Sequence, residues 1–240
     1  MEEGRLNILA VDTSGPVAGC AVMRDGQIAY TVAMRLGLTH SQTILPAVDA
    51  ALRATGLSCE DMDAFAAVVG PGSFTGVRIG VCMVKGFAHA TGKPCCAVNA
   101  LEALSMNVAG FDGLVCPILD ARRAQVYCAA FDTTSGRPMR AMPDAALALD
   151  AFLDGLPAHA RLAFVGDGVP VHGEAILRRL GERALLMSPN LCDLRADAAC
   201  VLAARHRDSW IPPERLTPVY LRPPQAERER AARLSREAGA

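Results

Sequence analysis

Net charge is almost missing from this chain of 240 residues: 24 basic side chains face 25 acidic ones, a formal charge of −1. Without a field of one sign there is little to draw in a polyanion, so strong independent binding of RNA or DNA is not expected. No apolar run is long enough to span a bilayer. The start, Met1-Glu2-Glu3-Gly4-Arg5, is acidic and leads straight into a strand-like run, unlike an export signal. Nine cysteines are present, but no two form a Cys-x-x-Cys pair, and most lie in apolar runs where a thiol behaves as a small hydrophobe. An odd count without an export signal fits a reducing, cytoplasmic setting.

Three kinds of chemistry are absent as well. Gly92-Lys93 is followed by Pro94, so there is no Walker A loop. No Gly-x-Ser-x-Gly elbow marks a hydrolase nucleophile. The five histidines (His40, His89, His159, His172, His206) have no ligand spacing. Four residues after His40, where a helical metal site needs its second histidine, stands Ile44. A metal centre is not expected.

What remains is globular: 51% hydrophobic and 20% charged residues, in a chain long enough for two lobes with cores of their own. Leu6 to Val11 reads as a strand ending at Asp12-Thr13-Ser14. Val17 to Met23 and Gln27 to Met34 follow as a hairpin turned at Asp25-Gly26. His40 to Thr55 reads as a helix with the stripe Leu45, Val48, Leu52, stopped by Gly56 and bent near Pro46. Met62 to Val69 is a strand, Ser73 to Ala90 a helix and Cys95 to Val98 a strand, with a further helix from Ala100 to Val108.

The pattern then restarts. Leu114 to Leu119 is a strand ending at Asp120-Ala121-Arg122-Arg123, and Gln125 to Asp132 is its hairpin partner. Asp144 to Leu153 reads as helical. Leu162 to Val165 is a strand ending in Gly166-Asp167-Gly168, and Gly173 to Leu180 is a helix. A short strand, Ala184 to Met187, and a helix, Ala196 to His206, complete the series. This repeat of pattern points to an internally duplicated α/β fold on the two-lobed plan of actin, Hsp70 and the sugar kinases. The division expected is a first lobe at 1–109, a smaller second lobe at 110–210 and a Pro-rich, charged tail at 211–240. Within that tail, Gln225 to Glu237 is read as a solvated helix or a frayed end.

Gly70-Pro71-Gly72-Ser73-Phe74-Thr75-Gly76-Val77-Arg78-Ile79-Gly80 joins a buried strand to a helix. Its glycines permit close approach of backbone, either to a phosphate or to protein. The spacing misses the dinucleotide fingerprint by one residue. The helix carries two apolar stripes, Val77-Val81-Val84-Ala88 and Gly76-Gly80-Met83-Phe87, and a basic one, Arg78-Cys82-Lys85-His89. Two apolar faces mean cover on two sides: the sheet on one, and either internal core or a partner chain on the other. Asp12 and Asp120 end equivalent strands, where kinases of this plan arrange metal and phosphate.

Several segments together resemble the TsaB family, also called YeaZ: Val11-Asp12-Thr13-Ser14, His40-Ser41 with Leu45-Pro46, Gly70 to Gly80, Leu119 to Arg123 with Val126-Tyr127, and Pro218-Val219-Tyr220-Leu221-Arg222. The resemblance runs through nearly the whole chain in order. It implies a bacterial subunit of the machinery that makes N6-threonylcarbamoyladenosine at position 37 of tRNA, with the catalytic centre in the paralogue TsaD. Ile44 fits the paralogue that lacks the metal-binding histidine pair. It further implies a scaffold or activator rather than an enzyme by itself, paired with TsaD through two helices and joined by the ATPase TsaE. It reaches tRNA through that complex, touches no membrane, and forms a homodimer by the same face when alone. The interface expected is His40, Ser41, Leu45, Val48, Ser73, Thr75, Gly76, Arg78, Ile79, Gly80, Met83 and Phe87. Replacing Gly80 with a bulky residue is expected to break pairing and spare the fold. Asp12, Thr13, Ser14, Asp120 and Arg122 line a cleft expected to hold no cofactor firmly, and a nucleotide weakly at most. The alternative reading is an ATP-dependent phosphotransferase of the sugar-kinase type.

Overall fold

The computed structural model describes residues 6–222. The first sheet contains β1 (Ile8–Asp12), β2 (Ala18–Arg24), β3 (Gln27–Met34), β4 (Ala64–Gly70) and β5 (Cys95–Asn99), in the order β3-β2-β1-β4-β5. The second contains β6 (Leu114–Asp120), β7 (Gln125–Asp132), β8 (Met139–Ala148), β9 (Leu162–Val165) and β10 (Ala184–Leu186), in the order β10-β9-β6-β7-β8. Taken from the other edge, the second order matches the first element for element. In each, an antiparallel meander of three strands continues into two parallel strands. The duplication read from the pattern is therefore real at the level of topology.

Among the described residues six α-helices fill the connections: α1 (His40–Thr55), α2 (Phe74–Thr91), α3 (Ala100–Ser105), α4 (Leu149–Asp154), α5 (Val169–Leu180) and α6 (Ala196–Arg205). Strands buried on both faces read as near-continuous apolar runs, and β1 and β4 are buried at every residue. One core lies between the first sheet and α1 and α2, around Leu9, Phe65, Ile44 and Val81. A second lies between the second sheet and α4 and α5, around Ile118, Phe152 and Ile176. The third joins the lobes. Leu101 and Leu104 of α3 and Ala199 and Leu202 of α6 sit between the inner faces of the two sheets, against Val68 on one side and Val165 on the other.

Two local readings change. The helix expected over Asp144 to Leu153 is strand in its first half: β8 pairs with β7 from Asp132↔Met139 to Gln125↔Ala148, and α4 starts only at Leu149. Pairing with a neighbouring strand outweighs the helical preference of an alanine-rich stretch. In α1 the buried side chains are Ile44, Ala47, Val48 and Ala51, so the inward stripe is rotated and Leu45 points out, 52% exposed. The helix runs unbroken through Pro46 to Gly56, whose left-handed φ of 66° ends it.

Residues 211–222 are not a separate unit. The backbones of Ile211 and Cys95 exchange two hydrogen bonds at the β5 edge, and Leu216 is fully buried in the first lobe's core. The Gln225 to Glu237 reading lies outside the described residues, as does the N-terminal segment Met1 to Arg5.

Candidate functional site

The glycine turn meets the chain's own first hairpin. The Ser73 N–H donates to the Ser14 carbonyl at 2.7 Å, and the Ser73 hydroxyl accepts from the Gly76 N–H at 3.2 Å, capping α2. The Thr13 hydroxyl donates to the Gly76 carbonyl at 2.7 Å. A methyl added at Gly76 would overlap the Thr13 carbonyl oxygen, and one at Gly80 would stand 2.7 Å from the Thr13 hydroxyl oxygen. Both glycines are buried. The close approach they were expected to offer a partner helix is used inside the monomer, to seat α2 on the Asp12–Ser14 loop.

Other expected interface residues are also turned inward. Val48 is 1% exposed in the core. The His40 ring, through Nε2, is 2.8 Å from the Gly15 carbonyl and holds the same loop from the α1 side. The basic residues of the α2 stripe bond to the chain's own C-terminal segment while Arg78 and His89 stay exposed. The Arg78 guanidinium lies 3.9 Å from the Phe74 ring centroid and donates from Nε to the Tyr220 hydroxyl at 2.8 Å. Tyr220 stacks on Phe74 at 4.7 Å, Lys85 donates to the Leu216 carbonyl at 3.2 Å, and His89 faces Glu214. What stays outside is Ser41 and Leu45 of α1, Ser73 at the cap of α2 and Thr75 and Arg78 on it, with Ile79, Met83 and Phe87 half-buried on the same helix. Leu36, Leu38 and Leu45, within ten residues of chain, are 62%, 58% and 52% exposed.

The cleft between the lobes is lined by Asp12, Ser14 and Gly15 from the first lobe and by Leu119, Asp167, Asp193 and Leu194 from the second half. Its free space is about 10 Å³, enough for one water molecule and far below the few hundred Å³ of an ordinary ligand site. Asp12 is buried and accepts the Ser14 N–H at 2.8 Å. Burial pushes its carboxyl up to about 6, the Ser14 hydrogen bonds pulling the other way. Asp167 is also raised by burial, offset in part by the Asp120 N–H it accepts at 2.9 Å.

Asp120 itself is exposed outside this lining and accepts the Arg122 N–H at 2.9 Å. Arg122 stands at a φ of 61° on the exposed hairpin beside it. The acid that opposes Asp12 is thus Asp167, to which the sequence pattern assigns no role. A signal for it exists, since Gly166-Asp167-Gly168 ends a strand as Asp12 and Asp120 do. Among the described residues no group of three His, Cys, Asp or Glu side chains is placed to hold a metal ion, and no helix is long and apolar enough to cross a membrane.

Topology and cleft define the class: a duplicated, actin-like α/β protein whose lobes are fused by a shared core. Component A of the (R)-2-hydroxyglutaryl-CoA dehydratase of Acidaminococcus fermentans has the same fold, with a TM-score of 0.50 at 12% identity over 85% of this chain and 99% of that one. Residues 35–203 match the family model TsaD, tRNA N6-adenosine threonylcarbamoyltransferase. The Bacillus subtilis tRNA threonylcarbamoyladenosine biosynthesis protein TsaB is 32% identical over 92% of this chain and 96% of its own length. YeaZ from Pseudomonas aeruginosa superposes with a TM-score of 0.78 at 28% identity, over 90% of this chain and all of that one. The chain belongs to the TsaB (YeaZ) family.

Proposed function

We propose that this chain serves tRNA threonylcarbamoyladenosine biosynthesis in the cytoplasm as a scaffold and activator, without a catalytic centre of its own. The observation that carries the reading is the exposed apolar group at the start of α1: Leu36 and Leu38 in the segment before the helix and Leu45 on its outer face. Large apolar side chains left outside close together in the chain are a surface for another protein. The occupant proposed is the paralogue TsaD, with TsaE joining the pair and tRNA reached through the complex. In its absence a second copy takes the same face.

The non-catalytic part of the reading is supported by His40 and Ile44. The first is held on the Gly15 carbonyl and the second is fully buried, so the helix offers no metal-binding pair. The phosphotransferase alternative gains nothing from the cleft, which is lined with carboxylates and has room for a water.

Leu45→Arg tests the reading. Titration of the variant with TsaD in a calorimeter is expected to lose the association, at unchanged unfolding temperature. Wild-type affinity in that variant, or modification of tRNA by the purified chain without its paralogue, would overturn it.

A further inference from the structure

The two lobes make the same turn after their first strand and use it differently. In the first, the Asp12 carboxyl accepts the Ser14 N–H at 2.8 Å; in the second, Asp120 accepts the Arg122 N–H at 2.9 Å. Thr13 and Ser14 are buried against Gly72, Gly76 and Gly80. In the second lobe the corresponding helix, α5, meets Asp120 through His172, whose Nε2 is 3.9 Å from Oδ1. Arg122, Arg123 and Ala124 stay exposed.

Those three residues stand at φ of 61°, 56° and 55°. Left-handed backbone is unfavourable for a residue with a β-carbon, and no glycine, asparagine or aspartate occupies the three positions. The hairpin holds them there. Ala121 donates to the Gln125 carbonyl at 3.0 Å, and Gln125 to the Arg122 carbonyl at 3.2 Å. Backbone kept in an unfavourable region marks a place where the position of the side chains matters beyond local stability.

A further guanidinium reaches the turn from the C-terminal segment: Arg222 donates from Nη1 to the Ala121 carbonyl at 3.1 Å. Two residues before it, Tyr220 is 38% exposed, accepts from Arg78 at 2.8 Å and stacks on Phe74. These contacts join α2, the C-terminal segment and the second-lobe hairpin into one stripe with four arginines, Arg78, Arg122, Arg123 and Arg222. The acceptors of Arg78 and Arg222 are a phenol oxygen and a backbone carbonyl, neutral groups that cancel no charge.

We propose that this stripe binds the phosphate backbone of RNA. Guanidinium groups pair with phosphate oxygens through two N–H groups at once, which a flexible ammonium does not match. A formal charge of −1 gives the chain no overall field for a polyanion. The stripe therefore positions an RNA that the complex holds, and does not capture it alone. The inference rests on the role in tRNA modification proposed above and gives this chain its own share of the RNA contact.

A chain carrying both Arg122→Gln and Arg123→Gln tests it. With TsaD present, the wild-type chain is expected to bind tRNA with an affinity that falls as salt rises. The double variant is expected to bind about tenfold more weakly at about 50 mM salt, with a salt slope shallower by about 1–2. Arg122→Gly controls for folding. Glycine takes this backbone without strain, so the variant is expected to unfold no lower than the wild type and still to bind tRNA more weakly. Unchanged affinity and slope in these variants would overturn the inference. So would a double variant that loses TsaD in the calorimeter along with tRNA, since the stripe would then be a surface for protein. If the wild-type chain does not bind TsaD, the function proposed above falls, and crosslinking of tRNA to the chain alone at low salt decides this inference. Crosslinked peptides containing Arg122 or Arg222 support it; crosslinks elsewhere, or none, overturn it.

Discussion

Gly80 lies against Thr13, so close that a methyl group on its α-carbon would stand 2.7 Å from the Thr13 hydroxyl oxygen. That hydroxyl is already fixed by its hydrogen bond to the Gly76 carbonyl. The two glycines are therefore part of how the first lobe closes on its own hairpin, and changing either acts on folding before it acts on any partner.

Gly76→Ala and Gly80→Val are expected to destabilise the isolated chain by about 1–3 kcal/mol, the usual penalty for forcing atoms into a packed interior. Gly86 supplies the control. It lies in the same helix, is exposed, and has nothing within 4 Å of an added methyl. Gly86→Ala is expected to stabilise by about 0.5–1 kcal/mol through helix propensity. Urea denaturation of the three variants checks the contrast, and equal midpoints would show that the packing argument fails.

Asp12 makes stability depend on pH in a stated direction. Burial raises its carboxyl to about 6 in the folded chain, against 3.8 for a free aspartate side chain. Between those values the folded chain holds a proton that the unfolded chain has released. Stability therefore falls as pH rises from about 4 to 6 and levels off above that. Asp12→Asn removes the slope while keeping an acceptor for the Ser14 N–H. Its unfolding free energy is expected to exceed wild type by on the order of 3 kcal/mol at pH 7, with the gain gone below pH 4. A gain that persisted at pH 3.5 would have another origin.

The C-terminal segment is expected to contribute through its aromatic stack. Tyr220→Ala removes the ring from Phe74 and the acceptor from Arg78; a loss of about 1–2 kcal/mol is expected. Tyr220→Phe keeps the stack and should lose well under half of that. Thermal unfolding distinguishes the two, and a Tyr220→Ala chain as stable as wild type would mean the segment merely rests on the surface.

Nucleotide binding separates the scaffold from the kinase-type rival. With about 10 Å³ free between Asp12 and Asp167, ATP and magnesium added to the isolated chain are expected to give no binding heat tighter than millimolar. Asp12→Ala should leave that result unchanged. Micromolar binding abolished by Asp12→Ala would restore the phosphotransferase reading.

The sequence by itself determined the plan of the molecule. Apolar runs ending in Asp12 and Asp120, Gly turns and recurring hairpins define two α/β halves, because period and turn chemistry act locally. The helices read over His40 to Thr55 and Ser73 to Ala90 rest on signals of the same local kind, apolar periodicity and glycine stops, although the inward stripe of the first is rotated from the one expected. Local signals do not report what faces what. Only the tertiary structure turned Gly76, Gly80 and Val48 inward, laid Tyr220 over Arg78, and set Asp167 rather than Asp120 opposite Asp12. Each of those depends on contacts between residues far apart in the chain, which no window of sequence contains. The same holds for β8, where strand pairing overrode a helical stretch.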